Sequence, residues 1–377
     1  MEAYLGGVDN SHMIVLDLFA ESYPVWENTE GFYGKPFIWC ELDNFGGQNN
    51  LFGRMDSVMH NPHECANKQD NMSGIGITME GIYTNAIMFD MMLDQAWMDK
   101  PAPIYEYVNN YIRARYGDSN THAESAWAIL RNTVYNSSIL RMAEPRLIHR
   151  PSLTAGSTFY DQCELLDALD LLLRASSSFG HVESYQNDVV DVFRQVFADL
   201  FDSYITQYVE AYNNDDVKTV KQLAKKMTAL LKDDDRLLGT AKNFLLGVWL
   251  HDAEKWGNDD HEVDLYRYNA KNQLTNWGPN ANINDYAAKQ WSGLVGDYYL
   301  KRWELFFDTI EAVMSVEQPF DQTAFNTACL DLEQKWQSEK KQYSDKTVGD
   351  TVELAHELYK KYKAHVKENC GVLTYQQ

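Results

Sequence analysis

An acidic residue at position 80 follows a run of apolar and small residues that is typical of a buried strand. Glu80 stands between Met79 and Gly81, directly after residues 74–78. A carboxylate at the C-terminal tip of a buried strand lies where α/β barrels keep their catalytic groups. A strand-end Glu also serves as a hydrogen-bonding or capping residue in many folds. Residue type and position therefore make Glu80 a candidate catalytic carboxylate and leave both roles open.

Two earlier apolar runs also end in an acid. Residues 13–20 lead into Glu21, and residues 37–40 lead into Glu41, with Asp43 two positions later. Three such runs at regular spacing, with a helix-like stretch between the last two, indicate successive strands of an α/β barrel. For the three acids we favour scaffold hydrogen bonding over a catalytic role.

The elements that must position these acids fall into two regions. Residues 1–99 alternate between strand and helix patterns, whereas residues 100–377 are almost entirely amphipathic helix. We predict an α/β domain followed by an all-α domain, divided near Lys100. Three strands cannot close a (β/α)₈ barrel, which takes about 250 residues. Either more barrel strands precede these in the natural protein, so that residues 1–99 are the C-terminal part of such a barrel, or the first domain is a different small fold. The second domain is predicted to be all-helical.

Helix ends are predicted from local signals. Ile104–Tyr116 is predicted to end at Gly117, a typical C-cap, and Thr121 with Glu124 forms a capping-box pattern. Pro62 is predicted to mark the start of a helix. Further helices are predicted near residues 216–233, 238–256, 285–315, 322–338 and 348–366.

Composition narrows the classes of partner. A formal net charge of −22 disfavours nucleic acid and anionic membrane surfaces, which would repel the chain. No apolar stretch approaches a membrane-spanning length, and the N-terminus lacks the pattern of a signal peptide. The 10 Trp, 23 Tyr and 16 Phe suit large helical cores or a ring-shaped ligand such as a sugar.

Cysteines and histidines give no clear framework. The five cysteines are scattered, and their odd number precludes complete intrachain pairing, so the redox compartment stays open. The nearby residues His60, His63, Glu64 and Cys65 resemble half of a metal site. No second cluster completes it, so we predict no metal. Two N-glycosylation sequons begin at Asn71 and Asn136 and are compatible with secretion.

Short motifs along nearly the whole chain closely resemble the lysosomal α-N-acetylglucosaminidase family, glycoside hydrolase family 89. In family order they are LDLFAES at residues 16–22, PFIWC at 36–40, NFGG at 44–47, MEGI at 79–82, RPSL at 150–153, QLT and WGP within 273–279, DYA and KQ within 285–290, WELF at 303–306 and GDTV at 349–352. Motifs in this order are far more specific than any one of them alone.

The resemblance implies a retaining exo-glycosidase that removes terminal α-linked N-acetylglucosamine from glycans such as heparan sulfate. It implies a catalytic barrel followed by a helical domain, a lysosomal or secreted location, no cofactor, and Glu80 as the nucleophile. The family's acid/base Glu would lie before residue 1. We therefore expect this chain to be a C-terminal portion that is inactive alone. A homo-oligomer is compatible with the sequence.

The resemblance also implies a sugar pocket. Leu18 and Phe45 match pocket-lining positions in the barrel, and Trp277, Ile283 and Tyr286 match a pocket wall in the helical domain. The alternatives are core packing for the first two and an interdomain hydrophobic contact for the other three. A rival for the whole chain is a non-catalytic helical module that binds glycans or other partners.

Overall fold

The computed structural model of the chain describes residues 1–81, 83–139 and 144–373. The chain divides into two compact units, Met1–Met142 and Ala143–Gln377. The predicted domain boundary near residue 100 stays a prediction. The first compact unit extends further because the helix Ile104–Tyr116 packs against the helix Met55–Lys68.

A parallel sheet forms the centre of the first unit. Its strands are β1 (Val15–Asp17), β2 (Phe37–Glu41) and β3 (Met72–Ile77), in the order β1-β2-β3. The register pairs Asp17 with Trp39 and Glu41 with Ile77. The carboxyl ends of all three strands therefore meet at one edge. This arrangement confirms the three predicted strands and their parallel relation.

The first unit also contains helices. They are α1 (Glu2–Leu5), α2 (Val25–Asn28), α3 (Glu30–Tyr33), α4 (Met55–Lys68), α5 (Ala86–Asp94), α6 (Ile104–Tyr116) and α7 (Thr121–Asn132). Helices α4 and α5 pack against each other and against β3, and their inward faces are rich in buried methionine. Methionine fills irregular gaps well because its side chain is unbranched.

Two predicted helix signals in this unit are corrected. Pro62 lies inside α4 rather than at its start, because the buried residues Val58, Met59 and Cys65 anchor the helix on both sides of it. The cap of α7 is Asn120, whose side chain accepts the N–H groups of the first turn, so Thr121 is already helical. The predicted end of α6 at Gly117 is confirmed, with a left-handed φ of 89°.

The second unit is helical in the part of it that the structure describes. Its helices are α8 (Gln162–Arg174), α9 (Ser176–Phe179), α10 (Glu183–Asn213), α11 (Val217–Leu238), α12 (Leu246–Glu254), α13 (Asp260–Leu274), α14 (Leu300–Ser315), α15 (Gln322–Ser338) and α16 (Thr351–Lys367). The 31-residue α10 packs against α8, α11 and α16 and is buried along most of its length. It forms the core of the unit.

The predicted helix over 285–315 is wrong in its first part. Regular helix begins only at Leu300, after a π-helical segment at Leu294–Tyr299. Asp235 on α11 accepts the N–H groups of Gly293 and Gly296 at 2.7 and 2.8 Å. These tertiary hydrogen bonds replace the local ones that a continuous α-helix would make.

A disulfide closes the second unit. Cys163 at the start of α8 is bonded to Cys370, 207 positions later and just beyond α16. Asp161 reinforces the junction by accepting the N–H groups of Cys163 and Gly371, each at 2.9 Å. Cys40, Cys65 and Cys329 are buried free thiols. In the part of the chain that the structure describes, none of the helices combines the length and apolarity needed to cross a membrane.

Candidate active site

Glu80 lies beyond the C-terminal end of β3 with an exposed side chain. The backbone N–H of Gly46, in the loop after β2, donates to Glu80 Oε2 at 2.6 Å. A charge-assisted bond of this kind orients a carboxylate. The loop after β2 therefore positions the candidate nucleophile.

Backbone contact between two glycines brings this loop against Glu80. A methyl group added at Gly81 would lie 2.6 Å from Gly47 Cα, and one added at Gly47 would lie 2.9 Å from Gly81 Cα. Gly47 also has a positive φ of 68°. Only glycine fits both positions without a shift of the backbone. Asn44 Nδ2 adds a bond to the Gly81 carbonyl at 3.0 Å.

Buried polar side chains hold the same loop from behind. Glu21 Oε1 accepts the N–H groups of Leu42 and Asp43 at 3.0 and 2.8 Å. Asn85 Nδ2 donates to Asp43 Oδ2 at 2.8 Å and to the Asn50 carbonyl at 3.1 Å. Asp43 and Asn85 both have positive φ, so these bonds offset the cost of strained backbone.

Three acids are buried together behind the loop. Glu21, Glu41 and Asp43 expose 3%, 0% and 2% of their surface, and neither carboxyl oxygen of Glu41 has a hydrogen-bond partner among the residues that the structure describes. Burial, with the nearby acids, raises the pKa of Glu41 and Asp43 well above the ordinary range. Burial also raises the pKa of Glu21 to about 7, although the hydrogen bonds from the N–H groups of Leu42 and Asp43 lower it.

Glu21 is expected to contribute more stability to the first unit at low pH than at high pH. The pKa of Glu21 is raised from 4.5 to about 7 on folding, so the folded state binds more protons between these values. The resulting stability is fully present below the unfolded pKa and is lost as the pH rises through the folded one. For Glu21 this difference corresponds to about 3 kcal/mol. Hydrogen exchange of residues 37–52, corrected for intrinsic rates, should show less protection at pH about 8 than at about 5.

Glu21→Gln should reduce this pH dependence, because Gln keeps an acceptor oxygen for the loop but cannot ionise. Asp99→Asn is the matched control, since Asp99 is an exposed acid. Protection that increases with pH in the wild type would contradict the assignment.

The two predicted pocket residues of the barrel, Leu18 and Phe45, lie on segments that contact the chain at the end of β3. Phe45 precedes the donor Gly46 and packs edge-on against Phe19, with ring centroids 5.2 Å apart. Leu18 is 50% exposed, and its carbonyl accepts Thr78 Oγ1 at 2.7 Å, which joins the ends of β1 and β3. Core packing is therefore wrong for Leu18. Its role in binding stays a prediction, as does that of Phe45.

The predicted pocket wall in the second unit forms an ordered loop between α13 and the π-helical segment. Trp277 and Tyr286 pack edge to face with ring centroids 5.6 Å apart. Trp277 is 37% exposed and Ile283 is 44% exposed, so this loop presents an aromatic and an aliphatic surface to solvent. Such a surface suits the apolar face of a sugar, and the binding role of all three residues stays a prediction.

A buried ionic network supports this loop. Arg302 Nη1 lies 2.9 and 3.0 Å from the two oxygens of Asp285 and 3.1 Å from Glu333 Oε1. Arg150 donates its backbone N–H to Asp285 at 2.6 Å and its guanidinium to Glu333. Asp285 directly precedes Tyr286, so the network fixes one end of the pocket-wall loop.

The histidine cluster does not converge. Among the described residues, the one group that brings three potential ligand atoms within 4.8 Å of one another is Asp161, Cys163 and Cys370, and its two sulfurs form the disulfide. His63 Nε2 instead contacts Gln95 Oε1 at 2.9 Å, and His60 Nδ1 contacts the carbonyl of Asp56.

Sequence reasoning missed several supporting residues. The roles of the Gly46 N–H, of Asn85 and of Arg302 depend on contacts between distant segments. The glycine pair in the NFGG motif was the available signal for the first, because adjacent glycines often permit a close backbone approach. Nothing local to Asn85 or Arg302 indicated its partner.

An exposed carboxylate held by a backbone N–H at the end of a parallel strand fits the carboxylate-dependent glycoside hydrolases. Similarity to known proteins narrows this class. Residues 1–99 match the tim-barrel domain of alpha-N-acetylglucosaminidase (NAGLU), and residues 107–361 match its C-terminal domain. The chain belongs to the alpha-N-acetylglucosaminidase family, which confirms the resemblance found in the sequence.

Individual relatives agree with this assignment. Human alpha-N-acetylglucosaminidase is 36% identical over 370 residues, which cover 96% of this chain and 50% of the human protein. The chain thus spans about half the length of this curated relative. The family 89 glycoside hydrolase from Clostridium perfringens, solved with 2-acetamido-1,2-dideoxynojirmycin, has a TM-score of 0.88 and 29% identity. The similarity covers 96% of this chain and 43% of the bacterial one.

A second structure of the Clostridium perfringens protein carries two Glu-to-Gln substitutions and the substrate GlcNAc-α-1,4-galactose. It has a TM-score of 0.85 and 28% identity, over 94% of this chain and 42% of the other.

Proposed function

We propose that this chain carries the nucleophile of a retaining exo-glycosidase that releases terminal α-linked N-acetylglucosamine from glycans. The observation that carries the proposal is the exposed Glu80 carboxylate at the C-terminal end of β3, oriented by the Gly46 N–H at 2.6 Å. The family of the chain supports it independently.

In the proposed reaction a Glu80 oxygen attacks the anomeric carbon and forms a covalent glycosyl-enzyme while the glycosidic bond breaks. A second carboxyl group protonates the leaving oxygen and later activates the water that releases the sugar. The hydrogen bond from Gly46 holds the carboxylate plane in position before attack. The resemblance assigns the second carboxyl group to no residue of this chain.

The substrate class is supported by the chemistry of a relative. The Clostridium perfringens enzyme was solved with GlcNAc-α-1,4-galactose, a terminal α-N-acetylglucosaminide. We propose that the present chain acts on the same type of linkage and that heparan sulfate is among its substrates. The glycan is the proposed partner. Nucleic acid is disfavoured by the net charge of −22.

The test is hydrolysis of an aryl α-N-acetylglucosaminide by a complete enzyme that contains this chain, with the β-anomer as control and NMR detection of the first-formed sugar. A retaining enzyme releases the α-anomer before mutarotation. Release of the β-anomer, or equal hydrolysis of both substrates, would contradict the proposal.

Residues 1–377 assayed alone are expected to show no turnover, since proton donation to the leaving oxygen is half of the mechanism. Turnover by this chain alone would overturn that part of the proposal.

The pocket-wall prediction has a separate test. Trp277→Ala should weaken binding of a competitive N-acetylglucosamine-type inhibitor by about 1–3 kcal/mol, through loss of a large aromatic contact. Trp256→Ala is the matched control, because Trp256 lies in the same unit and its side chain is 78% exposed. An unchanged inhibition constant for Trp277→Ala would remove this residue from the pocket.

The proposal includes a lysosomal or secreted location. The Cys163–Cys370 disulfide supports it, because such bonds persist mainly in oxidising compartments.

Solution mass measurement would test for a homo-oligomer. Binding of glycan without turnover by an otherwise complete enzyme would instead favour the non-catalytic module.

A further inference from the structure

Tyr83 exposes its aromatic ring to solvent three positions after the candidate nucleophile. Tyr83 is 56% exposed, whereas the next two residues, Thr84 and Asn85, are 6% and 2% exposed. The chain therefore turns inward directly after Tyr83 and leaves the ring on the surface. Tyr83 and Glu80 both follow β3 on its C-terminal side, the side at which α/β barrels bind their substrates.

The backbone before Tyr83 is held against the loop after β2. Asn44 Nδ2 donates to the Gly81 carbonyl at 3.0 Å, and the Gly46 N–H donates to Glu80 Oε2 at 2.6 Å. Asn44 is fully buried, so it holds the Gly81 carbonyl from a fixed position.

The backbone after Tyr83 is held by the same loop. Asn85 Nδ2 donates to Asp43 Oδ2 at 2.8 Å and to the Asn50 carbonyl at 3.1 Å. Asn85 Oδ1 accepts the Phe52 N–H at 3.2 Å. Three hydrogen bonds to one buried side chain leave it little freedom. The chain is thus attached to one loop on both sides of Tyr83, which fixes where the ring is presented relative to the nucleophile.

The Tyr83 ring is within reach of a glycan bound at Glu80. Consecutive Cα atoms are 3.8 Å apart, so three steps of chain place the two Cα atoms at most about 11 Å from each other. This span is comparable to the length of a disaccharide. A ring at this position can contact the sugar that is attached to the one being released.

The chemistry of the ring suits that sugar. An exo-glycosidase takes the terminal sugar into its pocket, so the rest of the glycan extends from the mouth of the pocket toward solvent. An exposed aromatic residue beside the nucleophile is placed for this outer part. The face of a tyrosine ring packs on the apolar face of a pyranose, while its hydroxyl stays in contact with water or with sugar hydroxyl groups.

We propose that Tyr83 forms part of a subsite for the sugar that carries the released N-acetylglucosamine, and that it thereby determines which glycans are cleaved well. The inference rests on the proposed function, because this sugar is placed by its bond to the residue that Glu80 attacks. The ligand is a pyranose with an apolar face, such as the galactose of GlcNAc-α-1,4-galactose. Tyr83 acts by contact with the leaving group and takes no part in proton transfer.

The experiment compares two substrates of a complete enzyme that contains this chain. GlcNAc-α-1,4-galactose has a leaving-group sugar, whereas N-acetyl-α-glucosaminyl fluoride has none, because fluoride leaves instead. Tyr83→Ala removes the ring, and Tyr83→Phe keeps the ring without the hydroxyl. Tyr105→Ala is the matched control, since Tyr105 is a tyrosine of the same unit that is 67% exposed. The value of kcat/KM is measured for each enzyme on each substrate.

Tyr83→Ala should lower kcat/KM for the disaccharide by about tenfold, the scale of one lost aromatic contact, and leave kcat/KM for the fluoride within about twofold of wild type. Tyr83→Phe and Tyr105→Ala should stay within about threefold of wild type on both substrates. Retained hydrolysis of the fluoride shows that the variant is folded, since a merely structural defect would lower both values together.

Unchanged hydrolysis of the disaccharide by Tyr83→Ala, or an equal loss on both substrates, would overturn the inference and leave the proposed function in place. A wild-type enzyme that hydrolyses neither substrate would overturn the proposed function, and this inference with it.

Discussion

Glu80→Gln is expected to lower the turnover number by several orders of magnitude in any preparation of this chain that hydrolyses an aryl α-N-acetylglucosaminide. Gln keeps the shape of the side chain and an oxygen that can accept the Gly46 N–H, but it cannot form the covalent intermediate. Glu64→Gln is the matched control, because Glu64 is an exposed acid on α4. Activity of the Glu80 variant within about tenfold of wild type would exclude the nucleophile role.

Small anions can separate a nucleophile from an acid/base residue. In Glu80→Ala the lost carboxylate leaves space for azide, which should attack the α-linked substrate once and yield the β-glycosyl azide. An acid/base variant would instead pass through the glycosyl-enzyme and yield the α-glycosyl azide. The anomeric configuration of the azide product, read by NMR, therefore assigns the role of Glu80. An α-azide from this variant would show that Glu80 is the acid/base residue.

Local patterns were sufficient for the strands and for the place of Glu80. Each strand is a short apolar run, and the acid that follows it falls at the carboxyl edge by the geometry of a parallel sheet. The bounds of α6 were also predictable. Its end at Gly117 needs a left-handed residue, and Gly117 adopts a φ of 89°.

Elements that depend on distant partners were not predictable in this way. Pro62 signals a helix start locally, yet packing of Met59 and Cys65 into the core keeps α4 continuous through it. The irregular stretch before Leu300 is set by bonds from Asp235, about sixty positions away. Cysteine spacing does not show which cysteines pair, so the Cys163–Cys370 bond could be identified only from the fold.

In the candidate site, too, local features were predictable from the sequence and contacts between distant segments were not. The position of Glu80 was evident from the sequence, but the group that orients it was not, because Gly46 acts through a backbone N–H that any residue possesses. The acids Glu21, Glu41 and Asp43 were predicted to be scaffold residues. Their hydrogen bonds to the loop support that interpretation for Glu21 and Asp43. The buried Glu41 carboxyl has no hydrogen-bond partner in the described part of the chain, and a strand-end pattern could not have predicted this.

Arg302→Met is expected to destabilise the second unit by about 3–5 kcal/mol, the scale for breaking a buried ionic network by removing one partner. The substitution leaves Asp285 and Glu333 buried without the guanidinium that faces both of them. Arg302→Lys should lose less, since it keeps the charge but not the planar fork. Arg236→Met is the control, because Arg236 is paired with acids but its side chain is 54% exposed, and it should cost at most about 1 kcal/mol.

The cause of this loss can be separated from simple loss of packing. Burial opposes ionisation of Glu333, but Arg302 and Arg150 together hold its pKa below the ordinary value, so Glu333 is an anion in the fold. If uncompensated charge is the cause, adding Glu333→Gln to Arg302→Met should recover part of the stability, because this buried anion is removed and an acceptor for the Arg150 guanidinium is kept. If the double variant is less stable than Arg302→Met, the charge explanation fails. Asp285 directly precedes Tyr286 in the pocket-wall loop. If the double variant recovers unfolding free energy but not inhibitor binding, the network positions the pocket wall in addition to stabilising the unit.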